Sequence, residues 1–155
     1  MCRLDFKENK FIGLSDSRLF HSKQVADKCY NLAKSKYSLD EDESRKMYVM
    51  GYLHDIGYAF SYSANEHSTI GFAMLYAIID DKILGAIKHH GDPKHISDWT
   101  IYDKILNEAD MLTDSEGYEV TFDERLEDIR QRHGESSNAY KNSKKIIDYL
   151  KEDKI

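Results

Sequence analysis

The chain has 155 residues, of which 22 are Lys or Arg and 28 are Asp or Glu, giving a formal net charge of -6, with seven His, two Cys and one Pro. A length near ~150 residues is one ordinary domain that buries a single core without disulfide or metal staples, so residues 1–155 read as a single domain. The acidic balance argues against a grip on long nucleic acid, which rests on Lys and Arg neutralising phosphates, and leaves room for a small anionic substrate in a locally positive pocket. The longest apolar stretch, residues 71–79, is about half of what a membrane-spanning helix needs, so no membrane partner is expected. Residues 1–10 mix both charge signs and lack an apolar run, which predicts no secretory signal and a cytoplasmic location. Cys2 and Cys29 make neither a disulfide framework nor a Cys/His knuckle, and Cys29 reads as a small core residue.

One proline, no alternating strand pattern and many Leu, Lys, Glu and Ala predict an all-α fold of about seven helices. The first spans residues 17–37 and carries His21, Val25, Cys29 and Leu32 along one stripe. The second starts in the acidic turn Asp40, Glu41, Asp42, Glu43, which suits the positive end of a helix dipole, and runs to His54 with Met47, Met50, Gly51 and His54 inward. The third begins near Ser63 or Asn65 and carries His67, Ile70, Gly71 and Met74. The fourth, residues 82–90, is stopped by Gly91, Asp92 and Pro93. A fifth helix capped by Ser97 or Asp98 places Trp99, Tyr102, Leu106 and Asp110 on one face. Residues 114–121 read as a loop around Gly117, and 122–133 and 136–151 as two amphipathic, structural helices separated by Gly134.

The informative pattern is where imidazoles and carboxylates fall on these stripes. His21 lies near a helix start, His54 and Asp55 at a helix end, Asp110 near another end, and His67 and His90 add two more. Ionisable groups are rarely buried unless paired or bound to metal, so several on apolar faces want a common partner, and a divalent cation would satisfy them. Singly, each has a plainer explanation. A histidine beside Val25 and Cys29 is most often a hydrogen-bonded core residue, and His89 or His90 can bond the last carbonyls of their helix. His95 and His133 have no apolar stripe and read as ordinary. The adjacent pair is harder to dismiss: neighbours on a helix point about 100° apart, but at a helix end, before Ile56-Gly57, a change of backbone direction can aim both at one ion.

The order His21, His54-Asp55, His67, His90, Asp110 resembles the HD superfamily of metal-dependent phosphohydrolases, whose signature is H...HD...H...H...D on a helical bundle. The resemblance covers roughly residues 18–113, through Arg18-Leu19-Phe20-His21, Gly51-Tyr52-Leu53-His54-Asp55-Ile56-Gly57, His67-Ser68-Thr69-Ile70-Gly71, Ala86-Ile87-Lys88-His89-His90-Gly91 and Ala109-Asp110-Met111-Leu112-Thr113. The set is most similar to the six-ligand branch that includes bacterial dinucleoside-tetraphosphate hydrolases. The resemblance implies that His21, His54, Asp55 and Asp110 hold one metal and that His67 and His90 hold a second, with Asp55 bridging and His89 the competitor of His90. It also implies that Arg18 sits near the site and that Lys88 contacts phosphate, an exposed helix-face lysine being the alternative; Asp55, Arg18 and Lys88 are the catalytic candidates. Ser22 and Thr113 stand at most behind these ligands.

Nitrogen and carboxylate ligands without thiolate suit Fe, Mn, Co or Ni, with Mg possible, one or two ions, and leave positions for water and substrate. Such an ion lowers the pKa of water and polarises a phosphoryl oxygen. The expectation is an all-α HD-domain-like bundle acting as a phosphohydrolase on a phosphomonoester or phosphoanhydride, a small phosphorylated substrate of nucleotide type, through metal-activated water. Tyr58 stands where several branches carry a Lys or an acid; a phenol donates a hydrogen bond but is a poor base, so the substrate of any one branch stays open. Residues 58–66 can wall the pocket, with Tyr58 or Tyr62 stacking on a base or simply packing, and Glu66 shuttling a proton or solvating a helix start. Two other classes remain: a di-iron oxygenase on the same six-ligand cage, and a non-catalytic nucleotide-binding module. Residues 122–155 either cover the bundle or contact a partner subunit, so the oligomeric state is open.

Overall fold

The computed structural model describes residues 13–61 and 66–152; Cys2, Tyr62 and the expected start of the third helix at Ser63 or Asn65 lie outside them. The described residues form seven α-helices: α1 (Asp16–Ser35), α2 (Glu41–Leu53), α3 (His67–Leu75), α4 (Asp81–His89), α5 (Ile101–Met111), α6 (Phe122–His133) and α7 (Asn138–Glu152). Two short 3-10 helices, Ile56–Ala59 and Pro93–Asp98, connect them. The fold is the all-α bundle that the composition predicts. No helix among the described residues is long and apolar enough to cross a membrane.

Helix starts follow local chemistry. The Ser15 hydroxyl accepts from the Arg18 amide and the Asp40 carboxylate from the Glu43 amide, each satisfying a donor that the first turn leaves open. The fifth helix starts later than the sequence suggests. Thr100, not Ser97 or Asp98, is its cap, in a reciprocal capping box with Asp103. Pro93 and the Asp92 side chain, which accepts from the Lys94 amide, open a 3-10 turn that absorbs Ser97 and Asp98 and leaves Trp99 outside α5.

The main core gathers Val25 and Cys29 of α1, Met47 and Met50 of α2, Ile87 of α4 and Ile105 and Leu106 of α5, all fully buried. Burial pushes the Cys29 thiol well above its usual pKa, which fits a packing residue and not a nucleophile. A second cluster joins Met111 of α5 to Ile146, Ile147 and Leu150 of α7, with Trp99, Phe122, Leu126 and Tyr149 against it. The apolar face of α7 is thus spent within its own chain, covering one end of the bundle.

Two glycines permit close backbone approach. A Cβ on Gly51 would come within 2.8 Å of Ala26 Cα, so α1 and α2 pack nearly backbone to backbone. A Cβ on Gly57 would lie 1.7 Å from the carbonyl oxygen of His67, so the 3-10 turn after α2 rests directly on the start of α3.

Candidate metal centre

Three histidine rings are oriented by backbone carbonyls. His54, one residue past α2, places Nδ1 2.7 Å from the Gly51 oxygen, and His90, one residue past α4, places Nδ1 2.5 Å from the Ile87 oxygen. His21 of α1 places Nδ1 2.6 Å from the oxygen of Asp114, beyond α5. With Nδ1–H donating to these carbonyls, each ring would offer its Nε2 lone pair to a bound ion, the arrangement that fixes tautomer and direction in metal-binding histidines. His90 thus bonds a last-turn carbonyl through Nδ1 and turns Nε2 toward His67 and Asp55.

The Nε2 atoms converge on Asp55, which is 4% exposed. Its Oδ1 lies 3.4 Å from His54 Nε2, 3.3 Å from His67 Nε2 and 3.4 Å from His90 Nε2. Its Oδ2 lies 3.7 Å from His21 Nε2 and accepts a hydrogen bond from Arg18 Nη1 at 2.6 Å. Asp110 Oδ1 is 3.0 Å from His21 Nε2 and 3.7 Å from His54 Nε2. Two ligand groups result, His21/His54/Asp55 and Asp55/His67/His90, each with its ligand atoms within 4.8 Å of one another and sharing Asp55. Asp110 extends the first.

These residues fit a divalent ion. The Nε2 of His54 is buried without a hydrogen-bond partner, a state that costs about 1–3 kcal/mol when nothing binds the atom. His67 Nε2 and His90 Nε2 lie 2.9 Å apart. Ligands bound at about 2.0–2.2 Å at right angles stand about 3 Å from each other, close to these separations. Nitrogen and carboxylate oxygen without sulfur suit first-row divalent metals and magnesium more than a structural zinc knot.

Charge is balanced around the cluster. Burial opposes ionisation of Asp55, but His54, His67, His90 and Arg18 outweigh it and hold the carboxyl well below the usual range. Burial likewise opposes ionisation of Asp110, and the His21 and His54 contacts reverse it. Arg18 lies over the Tyr58 ring at 4.1 Å, and that ring stacks on His67 at 4.2 Å with an 11° interplanar angle. Burial and the Asp55 charge push the Tyr58 phenol up to about 12 against the opposing pull of Arg18. Tyr58 is thus a neutral wall between a guanidinium and an imidazole.

The other candidates fall elsewhere. Lys88 is exposed on α4, its Nζ 4.8 Å from the Phe72 ring centroid, outside the cavity that the cluster opens into. His89 faces His95, ring centroids 5.6 Å apart, along a separate cavity with Asp98 and Asp103, so His90 and not His89 joins the cluster. Glu66 is exposed and accepts a hydrogen bond from Ser61. Thr113 is buried and donates to the Ala109 carbonyl.

The cavity over the cluster, about 170 Å³, has Arg18, Asp55, Tyr58, His67, His90 and Asp110 on one side. The rest of its lining includes Arg125, Ile129, Arg132 and His133 of α6 with Asn142 and Ser143 of α7. The helical pattern alone predicts a structural role for these helices and none for His133. A signal was present: Arg125, Ile129, Arg132 and His133 follow the i, i+4, i+7, i+8 spacing of one helix face, so two arginines share a stripe with an apolar residue that must turn inward.

No curated protein and no solved structure matches the chain. The sequence model of the HD domain family matches residues 18–115, more than half of its length. That span begins at the arginine over Tyr58 and encloses all six clustered histidines and aspartates, and the chain belongs to the HD domain family.

Proposed function

We propose that the protein is a metal-dependent phosphohydrolase that cleaves a phosphomonoester or phosphoanhydride of a small, nucleotide-type substrate. The observation that carries this reading is the pair of ligand groups sharing Asp55 at the base of a cavity walled by guanidinium groups. Fold alone would not support it, since one scaffold hosts several chemistries.

His21, His54, Asp55 and Asp110 would hold one ion, and Asp55, His67 and His90 a second. When bound, the metal supplies Lewis acidity toward a phosphoryl oxygen and lowers the pKa of a water. The reaction joins the water oxygen to phosphorus and breaks the bond to the leaving oxygen, which takes up a proton. Arg18, anchored by Asp55 and by the Tyr58 face, brings a fixed positive charge to the cavity, where it can stabilise charge on the phosphoryl oxygens. Tyr58 stays a phenol at neutral pH and can donate a hydrogen bond but not accept the water proton. A cytoplasmic location accompanies this reading. Similarity to the six-ligand branch makes dinucleoside polyphosphates the first substrates to try.

The test is elemental analysis of purified protein followed by a panel of nucleotides, dinucleoside polyphosphates and cyclic dinucleotides with Mn, Fe, Co, Ni and Mg. Phosphate release with at least one pair is expected. Protein that holds no metal and stays inert with all of them overturns the proposal. Iron-dependent oxygen consumption without phosphate release would assign the cage to the di-iron oxygenase class instead.

A further inference from the structure

We propose that Arg125 and Arg132 of α6 form a second anion site facing the metal ligands, which receives a phosphoryl group linked to the one attacked and makes the protein prefer linked phosphates over monoesters. The inference rests on the phosphohydrolase reading and narrows its substrate class.

Arg125 is 8% exposed, and its Nε is buried with no hydrogen-bond partner. Its Nη1 donates to Asp128 Oδ2 at 3.1 Å. A guanidinium has five donors; the buried Nε is out of an anion's reach, so it is the remaining donors of Arg125 that are available to the cavity this residue lines. Two turns on, Arg132 holds both oxygens of the same Asp128, through Nε at 3.1 Å and Nη2 at 2.8 Å. Its side chain is 39% exposed, at the rim of the cavity. One carboxylate thus fixes two guanidinium groups and neutralises only one.

Arg18 is tied to Asp55 by one hydrogen bond, and the two guanidinium groups of α6, sharing the single carboxylate of Asp128, add one further positive charge to the cavity. Arg132 and Tyr58 line the same cavity. Asn142 and Ser143 of α7 line the same space and can donate further hydrogen bonds. At about 170 Å³ the cavity is smaller than the roughly 300–1,000 Å³ of pockets that enclose whole drug-sized ligands, so it suits a short, highly charged group with the rest of the substrate outside. Planar guanidinium forks match phosphate oxygens in geometry as well as charge.

The probes are methylenediphosphonate and methylphosphonate, which resist hydrolysis and differ by one linked phosphonate. Each is titrated calorimetrically into metal-loaded protein, with metal content measured again afterwards. Wild type should bind the diphosphonate at least about tenfold tighter, and Arg132→Gln should remove about tenfold of that affinity while methylphosphonate binding and metal content stay as in wild type. Equal affinity of wild type for both probes, or a loss in Arg132→Gln that is the same for both, overturns the proposal. Arg125→Gln should act in the same direction; should it fail to fold, the half-exposed Arg132 decides alone. Turnover without this preference defeats the anion site only, whereas the preference without turnover defeats the phosphohydrolase reading only.

Discussion

The bundle of α1 to α5 and the α6–α7 pair meet across one cavity with opposite chemistry. Beside the donors of Arg18 and Tyr58, the bundle turns acceptors inward: imidazole Nε2 atoms and the oxygens of Asp55 and Asp110, gathered at helix ends and steered by backbone carbonyls. The pair turns donors inward: Arg125, Arg132, Asn142 and Ser143. A surface of acceptors attracts cations and a surface of donors attracts anions, which is the complementarity that the proposed metal-dependent action on a phosphate requires. The acidity of the whole chain says little about this local field.

The comparison can be broken most forcefully at Asp55, the residue that both ligand groups share. Asp55→Ala should take bound metal to background and reduce turnover more than about a thousandfold, beyond the usual loss of a single stabilising donor. Retained metal or activity would mean that the two groups do not depend on it. His67→Ala tests the groups separately. It should lower the metal-to-protein ratio by about one equivalent while leaving the His21/His54/Asp110 side loaded, as read by elemental analysis; loss of all metal would make the centre one indivisible unit.

On the other side of the cavity, Ile147→Ala removes a side chain that is 1% exposed in the second cluster. Denaturant unfolding should show a loss of about 2–5 kcal/mol. If α7 were loosely attached, the loss would be well under that range. The smallest effect belongs to pH. The Tyr58 phenol is raised in the folded state from 10.0 to about 12, so the folded chain resists its ionisation. The stability this contributes is complete below the ordinary tyrosine pKa near 10.0 and is lost as pH rises toward about 12. Tyr58→Phe should flatten that part of an alkaline unfolding curve; an unchanged curve would contradict the assignment.

Much of the bundle side is legible in the sequence because burial and polarity conflict there. An apolar stripe ending in His54 and Asp55, or reaching Asp110, asks for a partner whatever the tertiary structure. Position along α4 was harder to read. Lys88 and His90 would point about 200° apart on a continuous helix, and only the backbone's departure at His90, with ψ 139, decides which side chain enters the cluster. The cap of α5 was hidden because Ser97, Asp98 and Thr100 are all good caps, and the choice was made by a 3-10 turn nucleated at Pro93. The donor wall was the least visible. Arginines on an amphipathic helix usually lie in solvent, and the stripe on α6 does not by itself reveal that it shares a cavity with residues contributed by five other helical segments and their ends.

Gly57 carries no ligand atom, yet the second ligand group depends on it. Its missing methyl lets the turn after α2 touch the carbonyl of His67. A side chain there would lever α3 outward and draw His67 from Asp55, while His21, His54 and Asp110 sit on segments that this crossing does not carry. A chain of this design would then go from offering two candidate ligand groups to offering one, with every clustered histidine and aspartate still in place. Comparing ligand motifs alone would miss such a divergence, because the difference would be written in a backbone crossing.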